Sequence, residues 1–569
     1  MSKPSQTAGS NHADRLDSWK EIAAFLRRDV RTVQRWEKKE GLPVHRHQHD
    51  KLGSVYAYRP ELSAWFDGRL QASAPSTGKT DEPKVKLAVL PFRNTGGDHE
   101  DRYFSDGLTE EMTTQLARLQ PSGLSVIARA TAMQYDASEK SLEQLQTHLK
   151  VDFVLDGTVR RAGNRVRITA QLVDLEDHTH LWAETYERDL SDILTVQAEI
   201  AQAFAAEINL AVGRTEQSRL ADLRGGARRV NPAAYESYLR ARHHLQGLTP
   251  TSIKNSIAHF EQAIQQDPRY APAHAGLAYA HGLLAIAPFD LVAPREAMPQ
   301  AEAAARQALA LDSTLPEAHS ALALVLHHYH WEWEKAEASY QQALECDPGY
   351  YVAHLWYSWL LLALDRRKEA FSEIEQAFVT AQETDPQRMV TVYATRAAAY
   401  YLGREYDRAA EEFARAVQLG PDFFVLHYVL GRALSFGGAG AHAAIAESKA
   451  GRTTAGEIPL MDMAWGLVNA VKGKKDQTEQ TIQALGEISG KRYVPATYFG
   501  LLYASLGKKD QALQWLEKAC EERADGLTWL NVLPTLDGLR GERRFQNLLK
   551  KIGLALTQPK SAASPKSIR

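Results

Sequence analysis

Cysteine is nearly absent from this chain: only Cys346 and Cys520 occur in 569 residues. Two thiols 174 positions apart, both in helix-like stretches, exclude a disulfide framework and a zinc knuckle, and the reading expected of them is two small buried residues. Long hydrophobic runs are missing as well. The most apolar window, residues 350–364, is about 15 residues long with His354 inside it, against roughly 20 for a membrane helix. Residues 1–11 contain no apolar run of the secretory kind, so a soluble, cytoplasmic protein without a membrane partner is expected. Charge of one sign is also scarce. A formal net charge of −3 excludes a polybasic coat over the whole molecule.

Catalytic signatures are equally sparse. Gly78-Lys79-Thr80 looks like the tail of a phosphate-binding loop, but Ser73 stands where that loop needs glycine and no strand pattern precedes it. The acidic group Asp98, Glu100 and Asp101 has no activating neighbour and reads as a solvated loop. No paired acid and base fall at helical or strand spacing, and no nucleophile elbow occurs. No enzyme, cofactor or metal site is expected.

At 569 residues and 44% hydrophobic the chain is too long for one core. Residues 71–84 are rich in Pro, Ser and Thr, and residues 213–230 are charged with Gly225-Gly226; both read as linkers. The expected architecture is multidomain: a small winged helix-turn-helix over 15–70, an α/β domain over 85–212, an all-α repeat superhelix over 231–555, and a disordered tail over 556–569.

The amino-terminal region is the basic one. Residues 27–51 hold eight Lys/Arg against four Asp/Glu. Wound at 100° per residue, residues 30–40 place Arg31, Gln34, Arg35, Lys38 and Lys39 on one face with Thr32 at its edge, while Val30, Val33 and Trp36 face the other way. Asp29 suits the N-cap and Gly41 the stop. A shorter helix precedes it with Trp19, Ile22, Ala23 and Leu26 inward, and Arg27-Arg28 form the turn. Alternating residues 44–49 and the run SVYAY read as a hairpin, and YRPELSAWF as a closing helix. His45, His47 and His49 share one strand face, but the local sequence supplies no carboxylate or cysteine at ligand spacing, so a wing on sugar-phosphate is expected rather than a metal.

WKEIAAFLRRDVRTVQRWEKKEGLPVHRH, the hairpin and YRPELSAWF resemble, in order, the DNA-binding module of MerR-like and excisionase-like proteins. The resemblance implies that Arg31, Thr32, Gln34 and Arg35 approach base edges in double-stranded DNA while Arg27, Arg28, Lys38 and Lys39 sit near phosphates, with Arg46, His47 and Lys51 on the wing. Arg pairs bidentately with guanine, Gln with adenine, and Lys neutralises phosphate.

In the second region LAVLPFRN, YFSDGLTEEMTTQLARL, DFVLDGTVRRAGNRVRITAQLVD and HLWAETYERDL resemble a TolB amino-terminal-like domain, which carries no established catalysis and is found behind DNA-binding or cyclase modules and ahead of tetratricopeptide repeats. The residues themselves read as a strand, a helix over 105–119, a strand at LSVIAR, a helix over 141–150, a hairpin around Ala162-Gly163-Asn164, a further strand and a long closing helix.

The third region resembles tetratricopeptide repeats. Ala336, Tyr340, Ala343 and Pro348 align with Ala409, Phe413, Ala416 and Pro421, and with Ala512, Leu516 and Ala519, a helix pair recurring near 34 or 35 residues over about eight units. Between Asp267 and Asp312 the spacing slips to 45, which predicts an insertion near residues 288–294. His274, His319, His354 and His427 recur at similar places and read as packing groups, not a metal row. The superhelix implies a concave groove for a protein or peptide. The function expected is a DNA-binding transcriptional regulator whose repeats bind a partner or form a homodimer, since one winged module makes few contacts. A repeat scaffold that does not bind DNA is the alternative.

Overall fold

The computed structural model describes residues 15–26, 42–46, 55–59, 85–96, 102–119, 124–127, 151–212, 230–382, 386–420 and 458–554, with scattered residues between 30 and 62 and between 426 and 436. The chain is multidomain, with a mixed-sheet region ahead of a helical one.

The first unit builds on α1 (Trp19–Leu26) and three short strands, β1 (Arg15–Leu16), β2 (His45–Arg46) and β3 (Val55–Tyr58). Ser18 accepts the Glu21 N–H at 3.2 Å while the Glu21 carboxylate reaches back to the Asp17 N–H at 2.9 Å, so the start of the helix has its donors met. Strands β2 and β3 pair antiparallel as the hairpin pattern predicts, His45 opposite Tyr56 and Arg46 opposite Val55. Strand β1 was not foreseen. Two residues are too short for a period-2 signal, and only its pairing with β3 defines it. Leu16, Ile22, Ala23, Val33, Leu42, Ala57 and Leu62 form a separate small core.

The mixed sheet contains β4 (Val85–Val89), β5 (Arg93–Asn94), β6 (Leu124–Ile127), β7 (Phe153–Ala162), β8 (Arg165–Asp174) and β9 (Thr179–Asp189), ordered β6-β4-β7-β8-β9 with β5 against β7. Pairs β4–β6 and β4–β7 are parallel, β7–β8 and β8–β9 antiparallel. Along β8, Val166, Ile168, Ala170 and Leu172 are buried while Arg165 and Arg167 are exposed, as the alternation requires. Gly163 turns the hairpin at φ +60°.

Helix α2 (Arg102–Leu119) begins three residues before the predicted Ser105, which lies inside it and is buried. Tertiary packing extends the helix, because the Phe104 ring docks edge-on against Tyr235, 6.3 Å between centroids. Helix α3 (Ile193–Val212) buries the expected stripe Ile193, Val196, Ile200 and Phe204. The expected helix over 141–150 lies outside the described residues.

Seven helix pairs follow among the described residues: α4 (Pro232–Gln246) with α5 (Pro250–Gln266), α6 (Ala271–Leu284) with α7 (Pro294–Leu311), α8 (Pro316–Val325) with α9 (Trp333–Cys346), α10 (Tyr351–Ala363) with α11 (Arg367–Gln382), α12 (Pro386–Leu402) with α13 (Tyr406–Leu419), α14 (Pro459–Val471) with α15 (Lys475–Ser489), and α16 (Ala496–Ser505) with α17 (Lys509–Glu522). Two 3₁₀ turns and α18 (Arg543–Lys551) end the array. First helices of neighbouring pairs touch one another, α6 with α8, α8 with α10, α10 with α12 and α14 with α16, which makes them the inner layer. Ala336, Tyr340, Ala343, Ala409, Phe413 and Ala416 are all buried, as the repeat register requires.

The recurrent histidines close turns. His274 bonds the Pro268 carbonyl at 2.9 Å, His319 that of Ser313 at 2.8 Å and His354 that of Pro348 at 3.0 Å, each six residues back. In the same turns Asp267, Asp312 and Asp347 accept the N–H two residues on. These three turns thus repeat an Asp and a His seven positions apart that satisfy the backbone between two helices. His427 lies outside the described residues. Cys520 is buried as expected, but Cys346 is partly exposed at the end of α9.

Close helix approach explains a small residue at Gly276 on α6: a Cβ there would run into the ring of Phe260, which is fully buried on α5. Gly276→Ala is expected to lower stability by roughly 1–2 kcal/mol, an overpacking cost partly offset by alanine's helix preference. A denaturant midpoint unchanged from the parent chain would refute that contact.

Candidate nucleic-acid interface and the junction behind it

Of the residues expected at DNA, Gln34 and Arg46 lie among the described ones. Gln34 is in helical backbone and half-buried, near the fully buried Val33 and the half-buried Val30, so the face expected to point inward does so at these positions. Arg46 is exposed and pairs with Glu37 at 2.7 Å. A phosphate approaching Arg46 therefore competes with a carboxylate already in place. Arg27, Arg28, Arg31, Thr32, Arg35, Lys38, Lys39, His47 and Lys51 lie outside the described residues.

The histidine face differs from expectation. A carboxylate does accompany it, because Glu61, sixteen residues along, places Oε2 2.6 Å from His45 Nε2. Tyr56 stacks on His45 at 5.2 Å and Tyr58 meets it edge-on at 5.9 Å, while Arg15 lies 4.2 Å over the Tyr56 ring. No cluster of three or more metal-ligating side chains occurs among the described residues. No helix of the described chain is long and apolar enough to cross a membrane.

Behind this module the sheet and the first helix pair share one core. Leu87, Phe104, Leu108, Ile168 and Ile200 belong to the same buried cluster as Tyr235, Leu239, Phe260 and Met298. The polar contacts at this junction are concentrated on α4. Arg242 pairs with Glu110 at 2.5 Å and with Glu111 at closer range, and it donates to the Tyr238 hydroxyl at 3.3 Å. Arg161 of β7 pairs with Glu236 at 2.8 Å, and Gln197 of α3 donates to the Tyr235 hydroxyl at 2.9 Å. The two glutamates hold the Arg242 guanidinium charged despite its burial, and burial pushes the Tyr235 and Tyr238 hydroxyls well above their usual range. Glu110 and Glu111 lie on α2, and nothing in the sequence singled them out. Their partner is about 130 residues away, so no local signal could have marked them.

Several known proteins are similar to this chain. A putative adenylate cyclase 3 of Rhizobium meliloti (strain 1021) is 35% identical over 248 residues, covering 43% of this chain and 40% of that protein. The transcriptional regulator HilA of Salmonella typhimurium is 24% identical over 310 residues, covering 53% and 51%. The chain therefore spans about half or less of the length of these curated relatives. Among solved structures, a tetratricopeptide repeat protein from Parabacteroides merdae aligns over 48% of this chain and 100% of its own at 13% identity and a TM-score of 0.34. TolB from Acinetobacter baumannii aligns over 23% of this chain and 30% of its own at 16% identity and a TM-score of 0.18. Over residues 83–203, the sheet and the helices that bind it to the repeats, the chain matches the second domain of HilA/YgeH-like transcriptional regulators.

Proposed function

We propose that this protein is a cytoplasmic, DNA-binding transcriptional regulator. The observation that carries the reading is the match of residues 83–203 to a transcriptional-regulator domain directly behind a basic amphipathic segment. In this reading the winged module over 15–70 presents Arg31, Thr32, Gln34 and Arg35 to base edges, sets Arg27, Arg28, Lys38 and Lys39 against phosphates, and lays Arg46, His47 and Lys51 along the backbone. The sheet domain over 85–212 and the repeats over 231–555 are not catalytic; the repeats receive a protein partner or pair two copies so that two half-sites are read together.

Selection of bound sequences from a random double-stranded DNA pool by the full-length protein tests this. The expected result is enrichment of an inverted repeat, lost in an Arg31→Ala/Arg35→Ala variant, with each lost base contact weakening binding by roughly 1–3 kcal/mol. Lys38→Ala should mainly flatten the dependence of affinity on salt. Equal enrichment by parent and variant would overturn the recognition-helix assignment, and negligible DNA affinity at low salt would favour a repeat scaffold without DNA binding.

A further inference from the structure

Two irregularities interrupt the repeat register, and both meet the same distant segment. The first is the loop between α6 and α7, the insertion that the 45-residue spacing predicts. Its Ile286 and Phe289 are buried, its Ala287 N–H donates to Asp525 Oδ2 at 3.1 Å, and its Asp290 accepts from the Tyr498 hydroxyl at 2.6 Å. The second is a turn of π-helix, Leu326–His330, between α8 and α9. His328 Nδ1 bonds Asp525, and Arg523 donates to the Tyr329 carbonyl at 2.8 Å with its guanidinium about equally over the Tyr329 and Trp331 rings.

The segment that follows α17 reaches the inner layer at Trp359, the turn after α12, and the start of α9. Trp529 packs edge-on against Trp359 of α10 at 5.2 Å, Arg404 donates to the Val532 carbonyl at 3.0 Å and pairs with Asp537 at 2.7 Å, and the Trp333 indole donates to the Ile552 carbonyl at 2.7 Å. Part of the groove expected to be free is thus covered by the chain itself. The segment buries Leu527, Leu530, Leu536 and Phe545 in the same core as the pairs, and its contact differs from theirs in the polar groups it encloses. Both ring nitrogens of His327, Nε2 of His328, the Trp331 indole and the Tyr493 hydroxyl are buried here without a hydrogen-bond partner. Each such group costs free energy that an apolar contact would not.

We propose that residues 523–539 are a clasp that closes the repeat array on itself, and that a partner peptide of the same chemistry, with aspartate four positions ahead of tryptophan as in Asp525-Gly-Leu-Thr-Trp529, engages the array by displacing it. The proposal rests on the reading that the repeats receive a protein partner, and it makes no use of DNA binding. Asp525 supplies the recognition because it accepts from both irregularities at once, and Trp529 supplies the apolar anchor beside Trp359.

The test uses the full-length chain, its Asp525→Ala/Trp529→Ala variant and the milder His328→Gln variant, with a labelled synthetic peptide of residues 523–539 as probe. Hydrogen exchange at 285–293 and 326–331 should rise in both variants while the pairs themselves stay protected. The peptide should bind the double variant at least tenfold more tightly than the parent chain and restore that protection, whereas a peptide with both substitutions should not. Unchanged exchange, or opening without peptide binding, would overturn the proposal. So would exchange rising throughout the array in both variants, because the segment would then be an integral cap. Peptide binding without DNA selection would fail the regulator reading alone, and DNA selection without peptide binding the clasp alone.

Discussion

Arg242→Ala should destabilise the protein by roughly 2–4 kcal/mol, somewhat less than the roughly 3–5 kcal/mol for removing one partner of a fully buried ion pair, because the side chain keeps some solvent contact. The loss leaves Glu110 and Glu111 of α2 facing each other and the buried Tyr238 without the cation that separated them. A double-mutant cycle with Glu111→Ala isolates the pair, with a coupling of about 0.5–3 kcal/mol expected. The larger consequence concerns cooperativity. With the clamp intact the sheet and the first repeats should unfold together, since they share a core. With it removed, sheet and repeat signals should separate along a denaturant gradient. Coincident, unshifted transitions in the variant would show that apolar packing alone makes the junction.

The second large effect is on pH. His327 is fully buried against His328, Trp333 and Trp529, and burial first, then the neighbouring imidazole, holds its pKa well below the usual histidine value. Below about pH 6.5 the unfolded chain takes up a proton that the folded chain refuses. Stability from this residue is therefore complete above that pH and falls on acidification, by at most about 1.4 kcal/mol per pH unit. Asp290 acts in the opposite sense. Burial, then the Asp525 carboxylate, pushes its carboxyl up to about 8, against the opposing hydrogen bond from Tyr498. The folded chain keeps a proton that the unfolded one loses near pH 4, so stability declines as pH rises from there toward 8. His327→Phe should gain on the parent chain as pH drops below 6.5, and Asp290→Asn should gain as pH climbs toward 8. Denaturant midpoints across pH 5–9 that keep constant differences between parent and variants would sink both assignments.

Neither group was visible as special in the sequence. His327 and His328 stand in the run LHHYHWEW, which no motif marks, and Asp290 lies in an insertion that spacing predicts without saying what it touches. The same holds for Arg46, whose ion pair with Glu37 depends on how the hairpin lies against the helix. By contrast, the β7–β8 hairpin, the buried stripe of α3 and the buried alanines of the pairs were legible, because periods of 2 and 3.6 record which face meets the core.

What this sequence determined by itself is the local order: the β7–β8 hairpin, the buried stripe of α3, and the small and aromatic residues that recur along the helix pairs. Each depends on residues within one or two turns of chain, where backbone geometry alone fixes who meets whom. Only the tertiary structure decided that the sheet and the repeats share a core clamped by Arg242, and that the end of the array folds back on its earlier helices. Those contacts join residues 130 to 240 positions apart, and at such separations pairing is set by the accumulated curvature of a stack of helices, which no periodicity in the sequence encodes.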